Sequence, residues 1–231
     1  MPLIKLSPRL EAIAKLVPSH GGACDVGTDH GYIPVWLAQN GHDGAIFATD
    51  IKKEPLLHAK RTADEYQLSD RISFHLCDGL AALDGSSIET VIIAGMGGEN
   101  IADIILAAPW VKENGCLLVL QPMSKSSFLR KWLFENGFKV ISEHLVEDGS
   151  IYEILTARAG KDEPYSHDEL LNANARLISN SPLFEKRLDN LITRTERAAA
   201  GLSTSAKAED SEHLAQSQAV LISLRKLKSG V

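Results

Sequence analysis

The chain has 231 residues, 44% of them hydrophobic, with 30 Asp and Glu against 24 Lys and Arg and a net charge of −6. That length supports one full-sized core plus a small appendage, and the acidic balance excludes bulk electrostatic adhesion to nucleic acid, so any RNA contact must use local basic patches. No stretch approaches the roughly 20 apolar residues of a membrane span, and Met1–Lys5 lacks the apolar segment of a signal peptide, so a cytoplasmic protein with no membrane partner is expected.

Along residues 1–160, short β-branched apolar runs alternate with helix-compatible segments, the pattern of βαβ units around a mainly parallel sheet. Strands are expected at Ala23–Val26, Ala45–Thr49, Ile72–Leu76, Val91–Ala94, Cys116–Gln121, Lys139–Val146 and Ile151–Ala157. Only Glu147-Asp148-Gly149-Ser150 separates the last two, and Asp-Gly between extended runs signals a hairpin. Five βα units closed by an antiparallel pair is the strand count of a Rossmann-like class I methyltransferase sheet. A dinucleotide-binding dehydrogenase domain would continue with a sixth parallel strand. The three cysteines, Cys24, Cys77 and Cys116, form no CxxC pair and sit in or beside these runs, so buried reduced thiols are expected and no metal.

The pattern changes after Arg158-Ala159-Gly160-Lys161-Asp162-Glu163-Pro164, which sets a boundary between a domain at 1–160 and another at 161–231. Residues 1–160 carry 14 Lys and Arg against 20 Asp and Glu; the remainder carries 10 against 10. Ser166-His167-Asp168-Glu169 can start a short helix ending near Asn180-Ser181-Pro182. From Leu183, Phe184, Leu188, Leu191, Ile192 and Thr195 recur at helical spacing, and from about Ala206, Leu214, Leu221, Leu224 and Leu227 share a second face. With Gly201-Leu202-Ser203-Thr204-Ser205 as the turn, the two form an antiparallel coiled-coil hairpin whose leucines pack on each other. A helix of about 22 residues spans roughly 33 Å, far enough to extend well past the first domain.

The chemistry concentrates in Asp25-Val26-Gly27-Thr28-Asp29-His30-Gly31-Tyr32-Ile33-Pro34, directly after the first strand. Ligands of doubly wound sheets bind at the carboxyl ends of strands, where Gly27 lets backbone come close. The spacing is G-x-x-x-G, not the G-x-G-x-x-G that cradles a pyrophosphate. Asp29 would repel a pyrophosphate and attract the amine of a methionine moiety; an ordinary tight turn is the plainer alternative. Asp50, with Ile51 beside it, ends the second strand about twenty residues further on, where an acid can accept ribose hydroxyls. Cys77-Asp78-Gly79-Leu80 puts a third carboxylate within reach of an adenine amine. Both aspartates could be helix caps, but three carboxylates at three successive strand ends weigh against caps alone. Ala94-Gly95-Met96-Gly97-Gly98-Glu99-Asn100 opens space beside a reacting centre or is a flexible turn, and Gln121, before Pro122-Met123, is expected to face the same crevice.

Together with Ser7-Pro8-Arg9-Leu10, Leu120-Gln-Pro122, Arg130-Lys-Trp-Leu133 and Glu147-Asp-Gly-Ser-Ile-Tyr-Glu153, these segments resemble the bacterial tRNA (adenine-22, N1)-methyltransferases. The resemblance covers the first domain; the helical tail agrees in kind and not by motif. It implies a class I methyltransferase domain with a C-terminal coiled coil, S-adenosyl-L-methionine as cofactor and tRNA as substrate. One departure is Gly31, where alanine is usual in the family; it leaves the assignment unchanged and permits a looser helix start.

Adenine N1 is unprotonated near neutral pH, so the site needs alignment more than a base. Asp29 is the residue expected to stabilise charge on the base, with His30 orienting it and Tyr32 and Met96 as walls; Tyr32 packing against the sheet is an equal alternative. The expected cofactor set is Asp25, Gly27, Asp29, His30, Asp50, Ile51, Asp78, Gly79, Gly95, Met96, Gly97 and Gln121. Local basic groups are Lys5 with Arg9, Lys52 with Lys53, Lys125 with Arg130 and Lys131, and Arg187, Arg194 and Arg197 on one helix face. Of these, Arg9, Lys125, Arg130, Arg187, Arg194 and Arg197 are expected to touch tRNA, with a solvated salt-bridged surface as the alternative. A monomer is expected, a dimer through the coiled coil being the other arrangement. Competing functions are a non-catalytic S-adenosylmethionine- or RNA-binding adaptor and an NAD-dependent oxidoreductase.

Overall fold

The computed structural model describes residues 3–165, 175–203 and 208–229. The chain forms two compact units, Met1–Glu163 and Pro164–Val231. The first contains α1 (Pro8–Ala14), β1 (Ala23–Val26), α2 (Tyr32–Gln39), β2 (Ile46–Asp50), α3 (Lys53–Glu65), β3 (Ile72–Leu76), β4 (Thr90–Gly97), α4 (Gly98–Leu106), α5 (Trp110–Glu113), β5 (Leu117–Ser124), α6 (Ser126–Glu135), β6 (Phe138–Asp148) and β7 (Ser150–Ala159).

The seven strands form one sheet in the order β3-β2-β1-β4-β5-β7-β6. β1 to β5 are parallel, while β7 runs antiparallel to β5 and β6. All four residues of β1 are buried, as expected of a parallel strand covered on both faces. Ile13, Ile46, Ile92, Val119 and Ile154 lie together in one core cluster. The helices dock by apolar stripes such as Ile101 with Ile105 on α4. β4 continues three residues past its expected end at Ala94. It does so because Met96 pairs with Pro122 and Gly97 with Ser124, while Gly95 is left in a bulge with φ +76° that suits glycine.

One expected tRNA contact is overturned. Arg130 is 1% exposed on the inner face of α6 beside Leu129 and Leu133. Its Nε and Nη2 donate to the Glu143 carboxylate at 2.9 and 2.8 Å, and Nη2 also donates to Glu153 at 3.1 Å. Burial works against the charged form, yet Glu153 and Glu143 hold the guanidinium above its ordinary pKa. Arg130 therefore clamps α6 to the β6–β7 hairpin and presents nothing to a phosphate.

The second unit contains α7 (Ala175–Ile178), α8 (Phe184–Ser203) and α9 (Ala208–Ser229). Arg225 pairs with Glu196 at 2.7 Å, and Lys228 pairs with Asp189. The later residue of α9 thus meets the earlier residue of α8, so the helices are antiparallel, with Leu188 and Leu224 buried. Gly201–Ser203, expected in the turn, are the last residues of α8. The rest of that turn and the helix start expected at Ser166–Glu169 lie outside the described residues. No described helix is long and apolar enough to cross a membrane.

Candidate functional site

A cleft of about 920 Å³ opens where the strand order reverses, beyond the carboxyl ends of β1, β2, β3 and β4. Its base is the turn after β1. Gly27 and Thr28 donate their amides to the Thr49 carbonyl at 2.8 and 2.9 Å, which fastens the turn to β2. Gly27 has φ +69°, and a Cβ there would overlap the Met96 methyl. Asp25 is buried against this turn and accepts from Thr28 Oγ1 at 2.7 Å. Burial pushes its carboxyl up to about 7, against the Thr28 hydrogen bond and with a further push from Asp50.

Asp50 Oδ1 accepts from the Lys52 amide at 2.8 Å and Oδ2 from the Asp29 amide at 3.3 Å, so the ends of β1 and β2 share one carboxylate. Thr49 Oγ1 donates to the Gly79 carbonyl at 2.8 Å, drawing in the loop after β3. Asp78 is exposed there; a Cβ on Gly79 would come 3.1 Å from Ile104, so this end is bordered by α4. Ile51, 62% exposed, adds a second apolar face.

At the other end lie Asp29, His30, Tyr32, Gly95, Met96 and Arg9. Asp29 adopts a left-handed backbone (φ 50°), and its carboxylate lies 3.6 Å from His30 Nε2. The His30 ring stacks on Tyr32 at 5.3 Å and on His58 at 5.5 Å. Tyr32 is 40% exposed and lines the cleft. Gly31 is the N-cap of α2. Its φ of +69° is the left-handed N-cap conformation, and a Cβ would come 2.9 Å from that of Ala59.

Arg9 is held from two sides: Nη1 donates to Gln121 Oε1 at 2.5 Å, and the guanidinium lies 5.3 Å from the Tyr152 ring centre. Gln121 is corrected in turn. It is fully buried and outside the cleft lining, and it accepts also from the Gly95 amide at 3.2 Å, so it sets Arg9 and Gly95 in place. Gly97 ends β4 outside the cleft lining.

Apart from Gly97 and Gln121, the expected catalytic and cofactor positions come together: Asp25, Gly27, Asp29, His30, Tyr32, Asp50, Ile51, Asp78, Gly79, Gly95 and Met96 line one space. Lys125 lies apart, exposed and paired with Glu99 at 2.5 Å. Arg187, half-buried, and the exposed Arg194 and Arg197 are on α8 in the second unit. Sequence reasoning missed Thr28, which orients Asp25, and Asn100, Asp103 and Ile104, which line the cleft from α4. Their signal was position on the helix that follows the glycine cluster. Among the described residues no group of three or more His, Cys, Asp or Glu could hold a metal.

A family model described as a methyltransferase domain matches residues 6–155. The tRNA (adenine(22)-N(1))-methyltransferase of Bacillus subtilis is 35% identical over 164 residues, 70% of this chain and 69% of that protein. A putative tRNA methyltransferase of Mycoplasma genitalium is 32% identical over 180 residues, 75% of this chain and 79% of its own. The crystal structure of a putative tRNA (m1A22) methyltransferase of Streptococcus pneumoniae in complex with S-adenosyl-L-methionine superposes with a TM-score of 0.85 at 27% identity, covering 97% of this chain and 100% of that one.

Proposed function

The chain belongs to the bacterial tRNA (adenine(22)-N1)-methyltransferase family, and we propose that its cleft transfers the methyl group of S-adenosylmethionine to N1 of an adenine in tRNA, adenine 22 by likeness to those relatives. The observation that carries the assignment of the site is the gathering of Asp25, Asp50 and Asp78 in one cleft around a glycine turn. Three acids suit a cationic donor and would repel a pyrophosphate. Asp25 faces the methionine ammonium, Asp50 the ribose hydroxyls, and Asp78 the adenine amine between Ile51 and Ile104. Bound there, the donor supplies an electrophilic methyl group on a sulfonium centre.

The chain's own residues align and shield. N1 of adenine carries a free lone pair near neutral pH, so no side chain need remove a proton. Holding N1 in line with the methyl group contributes on the order of 7–11 kcal/mol. His30 and Tyr32 offer the ring surface that receives an extruded base. Asp29, whose carboxylate opens onto the same end, opposes the positive charge that arrives on the adenine. Arg9, fixed by Gln121 and Tyr152, offers a cation to the target nucleotide's phosphate. The 1–163 unit does the chemistry, and α8 of the tail adds tRNA contacts through Arg194 and Arg197. The protein works as a monomer in the cytoplasm and takes no metal.

Purified protein incubated with labelled donor and bulk bacterial tRNA should place the label in 1-methyladenosine on nucleoside analysis. Label in another nucleoside, or none, refutes the reading. In the same assay Asp29→Asn should lower the single-turnover rate about ten- to a hundred-fold with tRNA affinity kept. Weakened donor binding with an intact rate at saturation would move Asp29 to the methionine amine.

A further inference from the structure

A second cavity of about 650 Å³ adjoins the first, and His30 and Tyr32 line both. Its other walls include Lys5, His58, Arg61 and Tyr66. The three stacked rings run Tyr32, His30, His58, with interplanar angles of 16° and 10°. The ring surface bordering the target site therefore continues into the second cavity, where exposed His58 on α3 is its outer member. The volume falls within the roughly 300–1,000 Å³ of sites that hold a small ligand.

Lys5 and Arg61 are both exposed, and among the described residues neither is held in an ion pair. Glu65 is the one carboxylate among the described residues lining this cavity. Flat rings beside two cations match the two parts of a nucleotide: a base stacks on any π-face, and a phosphate is neutralised by Lys or Arg. An adenosine turned out of its stack also leaves its neighbour with one uncovered face.

We propose that the second cavity holds the nucleotide adjacent to the target adenosine, its base on the His58 end of the ring stack and its phosphate with Lys5 and Arg61. The inference rests on the first cavity acting on an adenine in tRNA. It makes recognition of the flanking nucleotide a property of α3 and the segment before α1, apart from the donor site.

The test uses the full-length protein. Lys5→Gln/Arg61→Gln should bind S-adenosylmethionine with wild-type affinity in calorimetry and raise the KM for tRNA about ten-fold, more than it changes kcat. The slope of log affinity against log salt should fall by about one unit, for the one phosphate that is no longer neutralised. The stacking arm pairs His58→Ala, at an exposed helical site where alanine is favourable, with tRNA made abasic on the 5′ or the 3′ side of the target adenine. One abasic position should raise the wild-type KM several-fold and add little for His58→Ala, a coupling between that base and that ring. A wild-type KM and salt slope in the double variant overturns the proposal, as does an abasic penalty that ignores His58. So does protection of the wild type, and not the double variant, from thermal unfolding by free adenosine monophosphate together with unaltered tRNA kinetics, which would assign the cavity to a free nucleotide. Wild-type protein that methylates no tRNA at all takes down the earlier reading, and this one with it.

Discussion

Asp25 gives the cleft its pH dependence. Its folded pKa of about 7 lies above the ordinary 3.8 because the carboxyl is buried. The folded state thus holds this proton more tightly than the unfolded one. Asp25 contributes stability in full below about pH 4 and loses it as pH rises through about 7, by a few kcal/mol at most. Urea midpoints should therefore show wild type losing ground to Asp25→Asn between pH 4 and pH 8; parallel curves would mean that Asp25 does not titrate in this window. A donor ammonium at the carboxylate would favour its charged form. Binding of S-adenosylmethionine near pH 6–7 should then release up to one proton, seen in calorimetry as heats that vary with the ionisation enthalpy of the buffer. Absence of that release would place the ammonium elsewhere. The acids were legible in sequence because each follows a β-branched run at a strand end. The role of Gln121 was not: its side-chain oxygen accepts from Arg9, 112 residues away in sequence.

At the scale of elements, the Arg130 cluster shows what local patterns omit. A helix arginine next to lysine looks solvent-facing, and its partners lie 13 and 23 residues on, in two strands. The available clue was that Arg130 lies between Leu129 and Leu133 on the stripe that α6 buries. Removing the guanidinium leaves Glu143 and Glu153 buried without it, so Arg130→Met should cost roughly 3–5 kcal/mol. Chemical denaturation would register this, and the deficit should shrink in acid as the two carboxyls take up protons. A loss below about 1 kcal/mol at pH 8 would show that the clamp adds nothing to stability. Strand positions were readable from apolar runs. The end of β4 was not, since Gly95-Met96-Gly97 is extended only through pairing with β5.

At the scale of the whole molecule, the chain divides into Met1–Glu163 and Pro164–Val231. Every residue lining the two cavities falls in the first unit. The boundary for a truncation belongs after Glu163 and not after Gly160, because Asp162 accepts from the Val140 amide at 3.2 Å and so closes the edge strand β6. Residues 1–163 should keep the S-adenosylmethionine affinity of the full chain and lose most methylation of tRNA. In the intact protein the acidic balance leaves tRNA to local cations, among which Arg194 and Arg197 are exposed on α8. Replacing both by Gln keeps the helix, since Gln favours it. It should weaken tRNA binding and lower the log–log salt slope by about one unit for each phosphate left without its arginine. Filter binding between about 50 and 200 mM salt would measure both. If the variant keeps the wild-type affinity and slope, the two arginines are a solvated face, and the cations of the first unit, Arg9 foremost, must hold the tRNA by themselves.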